Sequence, residues 1–163
     1  MSAENARATM VWRMVAKDKD GKEKWVDEGE NLIVNTGLDY LLSNAMTTAT
    51  LYIGLTDGTP TVAAGDTTTS HVGWTEVTAY TEAARIEWDN GAASGGVTTN
   101  AVAATFTANA TTTVGGGFLS TFATKGDSTT GTLFSVKAAT EGDRALVNLD
   151  TLDVTITLTV TSS

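Results

Sequence analysis

The 163-residue chain contains no cysteine, a single proline and a single histidine. Without cysteine, disulfides and thiolate metal sites are excluded, so the hydrophobic core or contacts between subunits must stabilise the fold. One histidine without cysteine cannot furnish a typical zinc site. The sequence therefore predicts no zinc site, and we assign no metal-ligating residue and expect no cofactor.

Basic residues are also scarce. The chain has 10 Lys and Arg against 19 Asp and Glu, which gives a formal net charge of −9. Such a surface repels phosphate backbones, so no nucleic-acid partner is expected, and the charge would keep copies apart in solution. No apolar run approaches the length that spans a membrane, so no membrane partner is expected either. The first residues lack the pattern of a signal peptide, which predicts synthesis in a cytoplasm without export by that route.

Threonine, by contrast, makes up about a fifth of the chain, and glycine occurs 16 times. This composition favours strands joined by turns. The clearest strand is residues 152–160, where apolar and polar side chains alternate without a break; the apolar members are Leu152, Val154, Ile156, Leu158 and Val160. Alternate side chains of a strand point to opposite faces, so this segment has one apolar face that other elements must cover.

Further alternating segments lie at residues 8–16, 51–56, 102–106 and 132–138, and Asp20-Gly21 suits a tight hairpin turn. Three glycines at 115–117 indicate a bulge or a close approach by another backbone. Residues 37–46 carry the one helical pattern. The predicted fold is mainly all-β, an antiparallel β-sandwich of about eight strands with one short α-helix. We expect a flexible N-terminal arm at residues 1–8 and a single sandwich domain at 9–163, on which residues 9–30 pack as a hairpin.

Residues that could carry chemistry are few. His71 follows Ser70, but neighbours in sequence rarely face each other, so a structural hydrogen bond is the favoured interpretation for the histidine. The carboxylate pairs Glu76 with Glu82 and Glu87 with Asp89 fit chance in an acidic chain, and a weak calcium site among Asp57, Asp66 and Asp127 stays open. The four tryptophans could stack on a sugar, although filling the core or a subunit interface is the commoner role. No catalytic residue is predicted, and we expect the protein not to be an enzyme.

The order of several short motifs resembles a family of small virion proteins of tailed bacteriophages. The likeness covers roughly residues 32–163 and rests on NTGLDYLL at 35–42, LYIGL at 51–55, Asp66-Thr67, HVGWTE at 71–76, Ala79-Tyr80, Arg85, GFL at 117–119, Lys125-Gly126, GTLFS at 131–135 and the closing alternating strand. The resemblance implies a structural part of a phage particle, assembled in the host cytoplasm and located in the virion. It carries over no catalytic motif.

Under this resemblance, a capsid decoration (cement) protein is the first expectation. Such a protein binds the major capsid protein, usually as a homotrimer, and stabilises the shell by protein–protein contacts. The expected contact residues are the arm, with Ala3, Glu4, Asn5, Ala6 and Arg7, and the aromatic side chains of Trp12 and Trp25. The arm would become ordered on binding.

Two alternatives stay open. A tail-fibre, head-fibre or receptor-binding module would expose aromatic residues on loops, and it would commonly carry a trimeric shaft. A carbohydrate-active β-sandwich enzyme comes third, because it needs a pair of catalytic residues that the sequence does not identify. The preference among the three rests on analogy more than on any site.

Overall fold

A computed structural model describes residues 6–34, 37, 50–91, 94 and 97–162. They form thirteen strands, whose bounds are β1 Ala6–Lys17, β2 Glu23–Glu30, β3 Leu32–Ile33, β4 Tyr52–Thr56, β5 Glu76–Val77, β6 Ile86–Glu87, β7 Val97–Thr99, β8 Ala104–Thr107, β9 Thr112–Val114, β10 Gly116–Ser120, β11 Leu133–Ala138, β12 Arg144–Leu146 and β13 Thr151–Ser162. All pairings between strands are antiparallel. The predicted all-β, antiparallel fold is confirmed.

Two main sheets build the sandwich. The first has the order β2-β1-β13-β7, and β8 also pairs with β13; the second has the order β3-β11-β10-β4-β5, and β6 also pairs with β4. A small two-stranded sheet joins β12 to β9. The longest pairing connects β1 and β13 over their whole lengths, from Ala6 opposite Ser162 to Lys17 opposite Thr151. The closing strand is therefore central to the first sheet.

The main core lies between the two sheets. Side chains of β1 and β13 meet those of β4, β10 and β11 there, and these buried residues include Met10, Trp12, Met14, Leu152, Val154 and Ile156 from the first sheet and Ile53, Leu55, Leu119 and Phe134 from the second. The alternation predicted for β13 is confirmed, because its even-numbered residues from Leu152 to Leu158 are buried. A smaller cluster of Val34, Phe118, Leu133 and Val136 lies apart from this core.

The glycines at 115–117 mark two close approaches. A Cβ on Gly117 would lie 2.7 Å from the Trp12 ring of the opposite sheet, and one on Gly115 would lie 2.0 Å from the carbonyl carbon of Gly58. Both distances are too short for a Cβ atom. The chain at 115–117 can therefore approach the Gly58 backbone and the Trp12 ring only because these positions are glycine. The predicted close approach of backbone is confirmed, and it allows the indole of Trp12 to fill the space between the sheets.

The N-terminal boundary differs from the expectation. The flexible arm was predicted to extend to residue 8, whereas Ala6, Arg7 and Ala8 belong to β1 and pair with Ser162, Thr161 and Val160. The physical reason is the length of β13, which offers backbone partners as far as Ser162. Residues 9–30 form the predicted hairpin, with Gly21 at φ 81° in its turn, yet β1 is an inner strand of the first sheet and not an addition to it. Residues 1–5, and the predicted helix apart from Gly37, lie outside the described residues.

Candidate functional site

A cavity of about 350 Å³ lies on the outer side of the second sheet. Phe118 and Leu119 are neighbours in β10, so their side chains point to opposite faces of the sheet. Leu119 enters the main core, whereas Phe118 joins the smaller cluster and lines the cavity. Loop residues from three further segments complete the walls, around positions 68–78, 85 and 126–128.

An aromatic stack forms one side of this cavity. The ring centroids of His71 and Trp74 lie 3.7 Å apart with an interplanar angle of 13°. Trp74 in turn stacks on Phe118 at 5.1 Å and 29°. Gly54, directly opposite Phe118 in the neighbouring strand β4, leaves space for the Phe118 ring. A Cβ on Gly54 would lie 2.3 Å from the end of that ring. The stack fixes the loop that carries His71 against the sheet.

Arg85 lies beside this stack, with its guanidinium carbon 4.9 Å from the centroid of the Phe118 ring. Its Nε and Nη2 atoms each donate to the carboxylate of Glu76 at 2.8 Å. Nη1 donates to Ser120 Oγ at 2.9 Å and to the Phe122 carbonyl at 3.0 Å, and Nη2 donates to the Asp127 carbonyl at 2.6 Å. A guanidinium has five N–H groups, so all of them are used. Arg85 therefore ties β5 and β10 to the loop at 121–128 and keeps no donor free for a ligand.

Neighbouring contacts hold the same loop. Glu76 Oε2 also accepts from the Gly126 amide at 2.7 Å. Lys125 Nζ donates to the Tyr80 and Glu82 carbonyls at 2.8 and 2.7 Å, and it lies 4.2 Å from the centroid of the Tyr80 ring. Burial raises the pKa of Tyr80, and the nearby carboxylate of Glu76 adds to that effect, so its phenol stays protonated. The wall of the cavity is consequently fixed by charge-assisted hydrogen bonds.

The net charge at the cavity is negative. Glu76 and Arg85 neutralise each other. Asp127 is half-buried and accepts from donors of its own turn, the Thr129 amide and hydroxyl and the Thr130 hydroxyl. Bonds from the backbone and hydroxyl of Thr129 and the hydroxyl of Thr130 lower the pKa of Asp127 to about 2. Its carboxylate is therefore ionised at neutral pH.

Two polar atoms of the aromatic stack have no hydrogen-bond partner among the described residues. They are Nδ1 of His71 and Nε1 of Trp74, and neighbouring protein atoms cover both. Burial lowers the pKa of His71, although the charge of Asp66 and the Thr68 backbone act in the opposite direction. The imidazole is therefore neutral near pH 7. Unpartnered buried polar atoms are uncommon in proteins and indicate a place where a ligand or water completes the bonding.

The carboxylates named in the sequence analysis bind different partners and do not form one site. Glu76 pairs with Arg85, whereas Glu82 accepts from the Thr107 amide at 3.2 Å. Asp57 accepts from the amide of Thr75 at 2.6 Å, and Asp66 accepts from the amide of Ala63 at 2.9 Å. Among the described residues, no group of three or more His, Cys, Asp and Glu side chains is arranged to hold a metal ion.

The residues predicted to contact a partner do not form one surface. Trp12 was expected to bury against a neighbouring copy, but it is fully buried between the sheets, so this prediction is wrong. The alternation of β1 shows two faces without showing which one is inside. Trp25 is half-buried against the core, under Arg144 at 5.7 Å. It pairs with Ala16, ten residues along β1 from Ala6, which places it roughly 30 Å from the start of that strand.

At that start the chain forms a feature that we name the terminal ribbon, the paired backbone of residues 6–8 and 160–162. In the described chain, the pairing of β2 with β1 extends only to Val11, and that of β7 with β13 only to Thr159. The terminal ribbon is therefore two strands wide. It contains Ala6 and Arg7 of the predicted contact residues, while Ala3, Glu4 and Asn5 lie outside the described residues.

Comparison with protein-family models, curated proteins and solved structures finds no significant match. No helix in the described parts of the chain is long and apolar enough to cross a membrane.

Sequence reasoning named Arg85 and Phe118 only within motifs that carry the resemblance, and it predicted neither their site role nor the cavity. One signal was present: Arg85 stands between Ala84 and Ile86, and a cation that is buried among apolar neighbours needs partners. Those partners come from residues 9 to 42 positions away along the chain, and a single sequence contains no information on such distant pairings.

Proposed function

We propose that the chain is a structural protein of a tailed-bacteriophage particle, a capsid decoration protein that binds the major capsid protein and stabilises the shell. The motif order in residues 32–163 supports the phage assignment. The terminal ribbon is the observation that carries the attachment mechanism, because it places residue 6 and residue 162 side by side at one end of the first sheet. Assembly as a homotrimer is part of the proposal.

The physical argument concerns the width of this ribbon. A two-stranded antiparallel pair is marginally stable in water unless something packs on it. The terminal ribbon has no third strand in the described chain, so a shell subunit or a second copy of the chain would stabilise it on contact. Residues 3–5 precede the ribbon directly and would lie on the same partner. Many such contacts around a shell give firm attachment even when each is weak.

The first test is the number of copies in purified phage particles, measured by quantitative mass spectrometry against the major capsid protein. A nearly stoichiometric ratio is expected for a protein that decorates the whole lattice. A ratio of a few per cent or less would overturn the decoration function and would place the protein on the tail or at a vertex.

The second test is binding of a chain that lacks residues 2–5 to shells without the protein. The deletion ends before β1, so it leaves the pairing of Ala6 with Ser162 in place. We expect loss of binding with unchanged thermal stability and oligomeric state. The matched comparison is Lys19→Gln, in the exposed turn at the far end of the same sheet, which should bind normally. Normal binding by the truncated chain would contradict attachment through the arm.

A receptor-binding module of the virion is the second candidate, and the cavity beside Trp74 favours it. Loop residues supply most of the walls, as is usual for recognition sites on a rigid scaffold. A low copy number together with tail localisation by immunogold labelling would favour this function over decoration.

A further inference from the structure

The cavity on the outer side of the second sheet has a size and composition that fit a small ligand. Its volume of about 350 Å³ lies at the lower end of the range for small-molecule sites. From its composition, we infer that this cavity binds a neutral saccharide unit. The inference does not depend on the decoration function, since the cavity and the terminal ribbon belong to different sheets.

The charges exclude an anionic ligand. Among the described residues, Arg85 is the only cation that lines the cavity, and its five donors are all bonded within the protein. Asp127 leaves the site with a negative charge, which repels phosphates, sulfates and carboxylates. A cationic ligand would meet one carboxylate, Asp127, in which three of about four acceptor positions already accept bonds from Thr129 and Thr130, so a single position is left for it.

The remaining surface suits a molecule with hydroxyl groups and C–H faces. Hydroxyl side chains that line the cavity are Thr68, Thr75, Thr78 and Ser128. Thr78 is exposed, and its hydroxyl can both donate and accept. The rings of His71, Trp74 and Phe118 supply apolar contact beside these groups. Hydroxyls next to aromatic rings match the alternating polar and apolar surface of a pyranose.

The unpartnered atoms of the ring stack add a specific contact. Trp74 Nε1 can only donate, and in the observed stack it is covered. Trp74 and His71 both line the cavity, so a small side-chain shift that uncovers this N–H would let a saccharide hydroxyl accept its hydrogen bond. Neutral His71 could then accept or donate through Nδ1.

The test follows the four indole N–H signals of the full chain by ¹H–¹⁵N NMR at pH 7. The probes are the methyl glycosides of glucose, galactose, mannose and N-acetylglucosamine, with inorganic phosphate and methylamine as charged probes. The Trp74 signal is identified by its loss in Trp74→Phe. We expect at least one glycoside to shift this signal in a saturable way while the signals of Trp12, Trp25 and Trp88 stay in place.

Two variants measure the contribution of single groups. Trp74→Phe keeps a ring but removes the N–H, and Thr78→Val keeps the shape but removes the hydroxyl; each should weaken glycoside binding about tenfold. Because Trp74→Phe has no Trp74 signal, binding to both variants is followed by saturation transfer to the glycoside protons. Trp25→Phe removes an equally unpartnered indole N–H at a distant site and should change nothing. The remaining indole signals report whether each variant is folded.

Three results would overturn the inference. The Trp74 signal stays fixed with every glycoside, or it responds only to phosphate or methylamine, or all four indole signals move together. Stoichiometric decoration of the shell is compatible with any of these results, so the two proposals fail separately.

Discussion

Lys137 Nζ lies 2.9 Å from Asp27 Oδ2, and the pair joins the two sheets of the sandwich. Lys137 belongs to β11 of the second sheet and Asp27 to β2 of the first. The side chains are 3% and 1% exposed, so both charges are almost completely out of water. The other carboxylate oxygen accepts from the Thr140 amide at 2.7 Å. This ion pair is the most deeply buried one among the described residues.

Breaking this pair should destabilise the protein strongly. Lys137→Met removes the cation and leaves the Asp27 carboxylate buried without its charge partner, which costs about 3–5 kcal/mol of unfolding free energy. Urea unfolding followed by tryptophan fluorescence measures the change. The control is Arg13→Gln, which removes an exposed pair with Glu28 and should alter stability by less than about 1 kcal/mol. Equal effects of the two variants would contradict the role assigned to burial.

Acid should unfold the protein through the same group. Burial alone would raise the pKa of Asp27, but hydrogen bonds from Lys137 and Thr140 and the charge of Lys137 outweigh it and hold the pKa below the ordinary value of 3.8. A carboxyl whose pKa is lowered on folding stabilises the protein above the unfolded pKa, and this stability is lost as the pH falls through the folded value. The pKa of Asp153, paired with Lys17, is also lowered.

The measurement is the free energy of unfolding from pH 7 down to pH 2. We expect it to be nearly constant down to pH 5 and to fall steadily below about pH 4. Asp27→Asn cannot take up the proton, so its profile should be flatter although it starts from a lower stability. Parallel profiles for the two proteins would show that Asp27 does not contribute to the acid transition.

The contact between Gly117 and Trp12 should tolerate no added methyl group. Gly117→Ala places a Cβ 2.7 Å from the indole, and overpacking of this kind costs about 1–3 kcal/mol. Adding Trp12→Phe, which shortens the ring system, should restore part of the loss in a double-mutant cycle. Gly65→Ala is the control, because nothing lies within 4 Å of its Cβ position. Additive effects of Gly117→Ala and Trp12→Phe would contradict the contact.

Arg85→Lys should loosen the loop at 121–128 without unfolding the sandwich. An ammonium cannot reproduce the fork that binds both Glu76 oxygens and two carbonyls. Hydrogen exchange at the Gly126 amide, which donates to Glu76, should accelerate about tenfold or more. Arg144→Lys, in a looser pair with Glu141 at 3.6 Å, should leave that amide unchanged. Unchanged exchange in Arg85→Lys would show that other contacts hold the loop.

Local patterns were sufficient to predict the longer strands and the hairpin, whereas the prediction of about eight strands missed short ones among the thirteen, such as β7 and β12. In β13, Leu152, Val154 and Ile156 alternate with threonines and aspartate, and the period of two alone determines which residues share a face. The turn before β2 was readable from Asp20-Gly21, since the glycine adopts a positive φ. Such features depend on residues only a few positions apart.

Long-range pairing could not be read in this way. The alternation of β1 would be the same if Trp12 lay on the surface. Only the position of β1 beside β13 determines that Trp12 is buried. The cavity likewise requires His71 and Phe118 to meet across 47 positions, through the loops that Arg85 ties down. A single sequence shows the residues of this site but not which distant segments come together to form it.

The pairing of Ala6 with Ser162 also has a practical consequence for engineering. Residues directly opposite each other in an antiparallel pair have Cα atoms about 5 Å apart, so a short linker that retains residues 2–5 can join these positions without removing the arm. New ends can then be opened in the exposed turn at Asp20 and Gly21. Such a circular permutant would present fused peptides at the end of the first sheet opposite the terminal ribbon, away from the proposed shell contact.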